Sequence, residues 1–592
     1  MRRFVPRLLA AVMAWSVFVG ARAVQRAGAS GEEGGGARFQ TLAREYINGY
    51  LVWRPQEGTA LGLHQYDGRI TDPGAASIAA ELARLKRSRL ALAGLSPASL
   101  SVEESHDLRT LSCAIDNEIL SIEELRAYTR NPMTYARALD VSIYIKRDFA
   151  PLRDRLKSIT AIESQAPALF RAARANLEVS LPRPYIETAV EIADGSAEFL
   201  SHDLVEALKT LKTSEPGLYS EFSLANDRAV AELKSFAQWL EKERLPKAGD
   251  QFAIGREKYQ RMLSEGELVD YPPEKILEIG LRELKREQAV FVQAAREIDP
   301  ARPPVEVFQA IQIDHPTAEG LLPGVRKNLE AIRKFVVDHR IITLPSEVRA
   351  RVEETLQFDR ASSFASMDTP GPFETKATEA YYYVTPVEKE WPPKQQEEWL
   401  TAFNRYTTDV VSIHEVYPGH YTQFLVLNAS KATDLEKIFS SYAFVEGWAH
   451  YSEQMLLDEG FGAEGGPVQA AKYRLAQSDE ALLRTCRLCV SVKMHCQGMT
   501  VEEGAKFFRE NCYYEEKPAK SEAMRGTFDP GYLYYTLGKL EILKLRRDWR
   551  RQEGAAYSLL RFHQELLRHG APPIRLLRER MLRDRAIWGE IL

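Results

Sequence analysis

From Phe39 onward, apolar residues return every three or four positions. Phe39, Leu42, Tyr46, Ile47, Tyr50 and Leu51 form one stripe of a 3.6-residue period, the mark of a helix with a single buried face. The same period predicts amphipathic helices over Ile78 to Leu95, Asp107 to Tyr128, Ala150 to Leu181, Tyr185 to Leu211 and Tyr219 to Leu240. Ser-Pro, Arg-Asn-Pro, Leu-Pro-Arg-Pro and Ser-Glu-Pro-Gly separate them, as expected where proline removes a helical hydrogen bond. Pro272 and Pro273 open a further helix carrying Ile276, Leu277, Ile279, Leu281 and Leu284. Neither segment length nor motif recurs at a fixed period, which excludes a repeat array. The pattern changes between about Val352 and Pro386, where Phe358 to Met367 and Ala380 to Thr385 are rich in aromatic and β-favouring residues and predict short strands. Helical periodicity then resumes through Ala470 to Gln497 and from about Tyr532 to Arg551, continuing to the end with a break at His569 to Pro573. The expected fold is mainly α with a few short β-strands.

The first residues belong to a different class. Arg2 and Arg3 precede an apolar run from Leu8 to Gly20 and then Ala21-Arg22-Ala23, which reads as a signal peptide over residues 1–23, cut after Ala23. Ala27-Gly28-Ala29 offers a second cleavage site, and the Arg2-Arg3 pair is a weak twin-arginine signal. The run is shorter than the roughly 20 residues that span a bilayer. Residues 24–38, with Gly31 to Gly36, read as a flexible linker, 39–270 as an N-terminal helical region and 271–592 as the region that carries chemistry. An exported protein, periplasmic or extracellular, is expected. A net charge of -5 on 592 residues argues against nucleic acid as a partner and leaves the oligomeric state open. The five cysteines are an odd number and far too few for a disulfide scaffold; the Cys486-x-x-Cys489 pair on a helical run reads as buried packing.

Chemistry concentrates between Ser412 and His450. His414-Glu415 is followed by His420, two residues later than in the His-Glu-x-x-His pattern that sets two histidines on one helix face around zinc. On an unbroken helix the two histidines would diverge by roughly 120°. Pro418 and Gly419 supply the means of absorbing the extra residues, and a bulge that swings His420 back towards His414 is expected. Glu446 lies on a helical pattern (Phe444, Val445, Trp448, Tyr451, Met455, Leu456) and is the candidate third ligand. Two histidines and a carboxylate leave the fourth zinc position for water, with Glu415 as general base. His450 and Glu453 follow one and two turns after Glu446, as partners of the ligands, with Glu453 the reserve ligand. His64 and Asp67 sit in a loop and read as turn residues.

These residues carry a resemblance. The chain resembles the uncharacterised bacterial domain-of-unknown-function family with the His-Glu-x-x-Pro-Gly-His motif, usually grouped with helical zinc metallopeptidases. Gly371 to Glu374, Tyr382 to Pro386, Glu446 to Ala449 and Asp529 to Gly538 match its further marks. Similarity to carboxypeptidase Taq and angiotensin-converting enzyme rests on the order His-Glu, His, then Glu. The resemblance implies a large helical metallopeptidase-like fold with a deep central cleft, a zinc ion on His414, His420 and Glu446, and a peptide substrate. It further implies an edge strand at Tyr381 to Thr385 that pairs with substrate, with Tyr381, Tyr382, Tyr383 and Arg525 as substrate contacts. A late helix is expected to supply the oxyanion donor, Tyr535 with Tyr532 as alternate, and His495 is a further site candidate. Two rival classes use the same residues or shell: a zinc hydrolase of non-peptide amides or esters, and a metal-free binding or chaperone-like relative.

Overall fold

The computed structural model describes residues 34–356, 360 and 363–592. The expected signal peptide and most of the linker lie outside the described residues, as does part of the expected strand from Phe358. What is described is mainly helical, with one three-stranded sheet.

The apolar stripes account for the helices. Phe39, Ala43, Tyr46 and Leu51 are the buried face of Gly35–Trp53, and the helix after Pro272 runs Pro273–Ile298 with proline in its first turn. Two expected helices are divided. Ala150 to Leu181 becomes Leu152–Glu163 and Ala166–Asn176, because Pro167 fits only the first turn of a new helix; Tyr185 to Leu211 breaks at His202 into Arg183–Ser201 and Asp203–Leu208. Buried side chains from Phe39 to Leu582 join in one large cluster, so the N-terminal and C-terminal regions share a core. Its axis is Pro467–Gln497, buried from Leu475 to His495 on nearly all sides. The Pro273–Ile298 helix lies so close against it that a Cβ on Gly280 would come within 2.3 Å of Leu488. Cys486 and Cys489 are fully buried there as packing residues, and no helix among the described residues is long and apolar enough to cross a membrane.

The sheet comprises β1 (Arg351–Glu354), β2 (Ala365–Asp368) and β3 (Tyr381–Val384), in the order β1-β3-β2. β3 runs parallel to β1 and antiparallel to β2, with Met367 opposite Tyr382. This corrects the expectation that Tyr381 to Thr385 is an edge: both backbone rows of β3 are already paired, and a strand can be added only where one row is free. The edge strand beside the candidate site is β2. The segment between β2 and β3 is tied to the N-terminal region through Glu374, whose Oε2 lies 2.8 Å from His64 Nε2. His64 also contacts Asp67 at 3.2 Å and stacks on Phe149, so its role is that of a tie between regions as well as a turn residue.

Candidate metal centre

The extra residues between His414 and His420 are absorbed by a helix break, where a bulge within one helix was expected. Arg405–Glu415, N-capped by the Asn404 side chain, ends directly after His414, and a second helix, His420–Ala429, begins at the other histidine. The four-residue turn between them contains a cis Tyr417-Pro418 bond. Gly419 N donates to the Ile413 carbonyl at 3.0 Å, and a Cβ at position 419 would stand 1.6 Å from the His414 carbonyl oxygen. Only glycine fits there. Trp448 Nε1 donates to the Pro418 carbonyl at 2.9 Å, which fixes the turn against the helix that bears Glu446. The imidazoles consequently face one another edge to face, with centroids 4.9 Å apart.

Glu446 projects from Tyr442–Asp458, a helix N-capped by Ser441. That helix is placed by contact with Tyr534–Glu553 at two glycines: a Cβ on Gly447 would meet Gly538 at 2.5 Å, and a Cβ on Gly538 would meet the Ala443 carbonyl oxygen at 1.8 Å. Glu446 Oε2 lies 3.4 Å from His414 Nε2 and 3.7 Å from His420 Nε2. The donor atoms of all three residues fall within 4.8 Å of one another. Tetrahedral zinc with ligands at roughly 2.0–2.2 Å sets them about 3.3–3.5 Å apart, close to these spacings. Glu446 Oε2 is buried without a well-aligned hydrogen bond, its nearest donors being the two imidazole nitrogens, so it is an acceptor that a cation would satisfy. Zinc fits this donor set.

The groups behind the ligands are fully enclosed. Glu453 Oε1 accepts from His414 Nδ1 at 2.7 Å and Oε2 from His450 Nδ1 at 3.0 Å, while Arg484 Nη2 stands 3.3 Å from Oε1. That contact orients His414 with Nε2 towards Glu446, so Glu453 is a partner of a candidate ligand and His450 is the partner of Glu453. Burial disfavours the imidazolium of His414, yet the adjoining Glu446 and Glu453 outweigh it and hold its pKa up at about 9. Burial likewise opposes ionisation of Glu446, but His414, His420 and Arg484 pull its carboxyl down to about 2. Without metal, a proton on His414 thus faces a carboxylate where a metal cation would otherwise stand. Burial, helped by the nearby charge of Lys539, drives the His450 pKa down to about 3.

Glu415 Oε2 accepts from Met367 N–H of β2 at 3.1 Å, and the carboxylate lies near enough to His420 to favour its charged form. Tyr535 is also brought in: Glu446 is the chief charged neighbour raising its hydroxyl pKa after burial itself, and its ring is ringed by Arg484, Arg487 and Arg525 at 5.3–5.9 Å. Tyr532 is not. Tyr532 lies in the 3-10 turn Pro530–Leu533 before the helix; Arg525 stands 5.9 Å from its ring as from that of Tyr535, but its buried hydroxyl abuts Gly526. His495 is likewise held elsewhere, with Nε2 2.8 Å from the Gly526 carbonyl and Nδ1 accepting from Ile254 N–H. Tyr382 is buried, its hydroxyl 3.1 Å from Ser412 Oγ, and so supports the His414 helix; the Tyr381 and Tyr383 rings stack on the other face of β3. Arg525 donates to Asp529 and to the Tyr442 hydroxyl, beside Tyr535. Met367 and Arg484 were not found by sequence reading. Met367 carries no sequence signal, since only its backbone is used; Arg484 is legible as a charge inside the apolar run Ala481 to Val492.

The sequence signature of a family described as "Bacterial protein of unknown function (DUF885)" matches residues 55–581. A candidate lipoprotein of unknown function from Shewanella oneidensis is similar in structure, with a TM-score of 0.76 and 25% identity over 92% of this chain and 99% of that one. A candidate lipoprotein from Colwellia psychrerythraea has a TM-score of 0.73 and 18% identity over 93% of this chain and 99% of its own, a likeness of fold. No curated protein matches the chain.

Proposed function

We propose that this chain, which belongs to the bacterial DUF885 family, is an exported zinc-dependent hydrolase that cleaves peptide bonds. The observation that carries the reading is the buried Glu446 oxygen set 3.4 and 3.7 Å from two imidazole nitrogens, close to the spacing of tetrahedral zinc ligands. The signal-like N-terminus and the descriptions of the two structural neighbours as candidate lipoproteins support export. Zinc at such a site would polarise the scissile carbonyl and acidify a bound water.

The protein's own residues supply the rest. Glu415, next in sequence to one ligand and close to the other histidine, accepts the proton of the attacking water and returns it to the leaving amine. Tyr535 donates to the oxyanion, the hydroxyl near Glu446 being suited to charge that develops beside the ligands. β2 offers a substrate rail. Thr385 N–H bonds to the Phe364 carbonyl at 3.0 Å, so by antiparallel alternation the backbone groups of Ala365 and Met367 turn away from β3. The outward Met367 N–H holds Glu415, which leaves Ala365 to pair with an extended peptide beside the base.

The test combines metal analysis with turnover on peptide and ester libraries. Wild type and Glu415→Gln are expected to hold one zinc per chain and His420→Ala to lose it, with only wild type hydrolysing peptides. Equal zinc in His420→Ala would remove the proposed centre, full activity in Glu415→Gln would remove the base, and turnover confined to esters would redirect the substrate class.

A further inference from the structure

Three helices, Pro273–Ile298, Tyr442–Asp458 and Pro467–Gln497, border a cavity of about 550 Å³ that is lined by none of the candidate metal ligands. One wall is a row of hydrogen-bonded side chains. Gln454 Nε2 donates to Asp458 Oδ2 at 3.4 Å, Arg474 Nη2 donates to Asp458 Oδ1 at 2.5 Å, and Arg474 Nη1 donates to Gln477 Oε1 at 3.2 Å. These partners fix how both amides point. A carboxylate only accepts and a guanidinium only donates, so the ends left open are the oxygen of Gln454 and the nitrogen of Gln477. Gln454 Oε1 and Gln477 Nε2 are both buried without a hydrogen-bond partner among the described residues, and Gln477 is only 1% exposed. A buried polar atom left unpaired is costly, so each is an open hydrogen bond for an occupant of the cavity.

The row has a direction. It accepts at Gln454, beside the Asp458 carboxylate, and donates at Gln477, beside the Arg474 guanidinium. The facing helix carries both signs as well, in Arg286 and Glu297, and sets Val290 and Ala294 between them as an apolar strip. The complement of this lining donates at one end, accepts at the other and is aliphatic between. The charges beside the two open hydrogen bonds favour an ammonium and a carboxylate over neutral groups, because charge-assisted hydrogen bonds are roughly twice as strong as neutral ones.

We infer that this cavity is a second binding site, for a small zwitterion with an aliphatic body: an amino acid whose ammonium meets Gln454 and Asp458 and whose carboxylate meets Gln477 and Arg474. The inference does not depend on the hydrolase reading, since none of these residues is assigned to the metal centre or to catalysis. The probes are L-leucine, with both charged groups on one carbon, and ε-aminocaproic acid, with them at opposite ends of the chain. Each is titrated into the protein beside its primary amide and its N-acetyl derivative and followed by calorimetry. At least one zwitterion is expected to bind, about tenfold or more tightly than either of its blocked forms, and which of the two binds fixes the spacing of the charges. Gln477→Glu keeps the acceptor for Arg474 but turns the open donor into an oxygen that repels a carboxylate, so affinity is expected to fall about tenfold or more. Gln454→Leu, at a partly exposed side chain, removes the open acceptor and is expected to do the same. No binding of either zwitterion, equal binding by a blocked form, or affinity that survives both substitutions would overturn the inference. Binding that meets these expectations in protein without zinc or turnover would uphold the cavity while overturning the hydrolase, and a zinc-loaded, active protein that binds neither probe would do the reverse.

Discussion

Replacing Gly538 with alanine tests whether the glycine contact between two helices sets the metal centre. The new Cβ would lie 1.8 Å from the Ala443 carbonyl oxygen, and the obstacle is helix backbone, which has no rotamer in which to escape. A carbon and a carbonyl oxygen need about 3.3 Å, so the helices must part by about 1.5 Å, the difference between that and 1.8 Å. Overpacking of this kind costs about 1–3 kcal/mol, here at the upper end, and alanine recovers about 1 kcal/mol in helix propensity. The net expectation is a loss of about 2 kcal/mol. Because Glu446 precedes the facing Gly447 on the displaced helix, a shift three times the roughly 0.5 Å tolerance of a functional site would also carry the carboxylate out of register with the histidines. Denaturant unfolding of the metal-free protein measures the first effect, and zinc competition with a chromophoric chelator the second. Unchanged stability together with unchanged zinc affinity would refute the argument that this contact positions Glu446. Lost stability with unchanged affinity would confine the glycines to packing.

Further expectations concern the ligands' surroundings. Glu453→Gln removes the carboxylate that orients His414 and one of the two carboxylates paired with Arg484, Glu480 remaining, so zinc affinity should fall about 10- to 100-fold and the fold should lose about 1–3 kcal/mol; chelator competition and urea melts read the two. The raised pKa of His414 contributes stability to the metal-free protein that is complete below the ordinary 6.5 and lost as pH rises through about 9, while zinc needs the neutral ring. Zinc binding at pH 7.5 should therefore release roughly one proton, and its affinity should rise over the same window; calorimetry in buffers of different ionisation enthalpy would show no buffer dependence if this is wrong. Tyr535→Phe should lower turnover about 100-fold or more with little change in ground-state binding, and Tyr532→Phe should leave it within about threefold; the reverse pattern in steady-state kinetics would exchange their roles.

The sequence by itself determined the helical class, the positions of most helices and the residues of the candidate centre. Periodicity depends only on which side chains are apolar, and His414, Glu415, His420 and Glu446 stand out by chemical type. The need for a device between the histidines was also legible, because six residues cannot keep one face of a straight helix. Only the tertiary structure decided what that device is. A break sealed by Trp448 from another helix depends on a contact across 30 residues, and no local propensity encodes it. Strand order was hidden for the same reason. Tyr381 to Val384 has the composition of a strand wherever it lies, but whether it is central or an edge depends on which segments fold against it. Tyr532 and Tyr535 were indistinguishable by spacing, and only packing tells them apart: the Tyr532 hydroxyl abuts Gly526, while Tyr535 has Glu446 as its chief charged neighbour. Local chemistry named the candidate ligands, and the packing of distant backbones determined which other groups stand beside them.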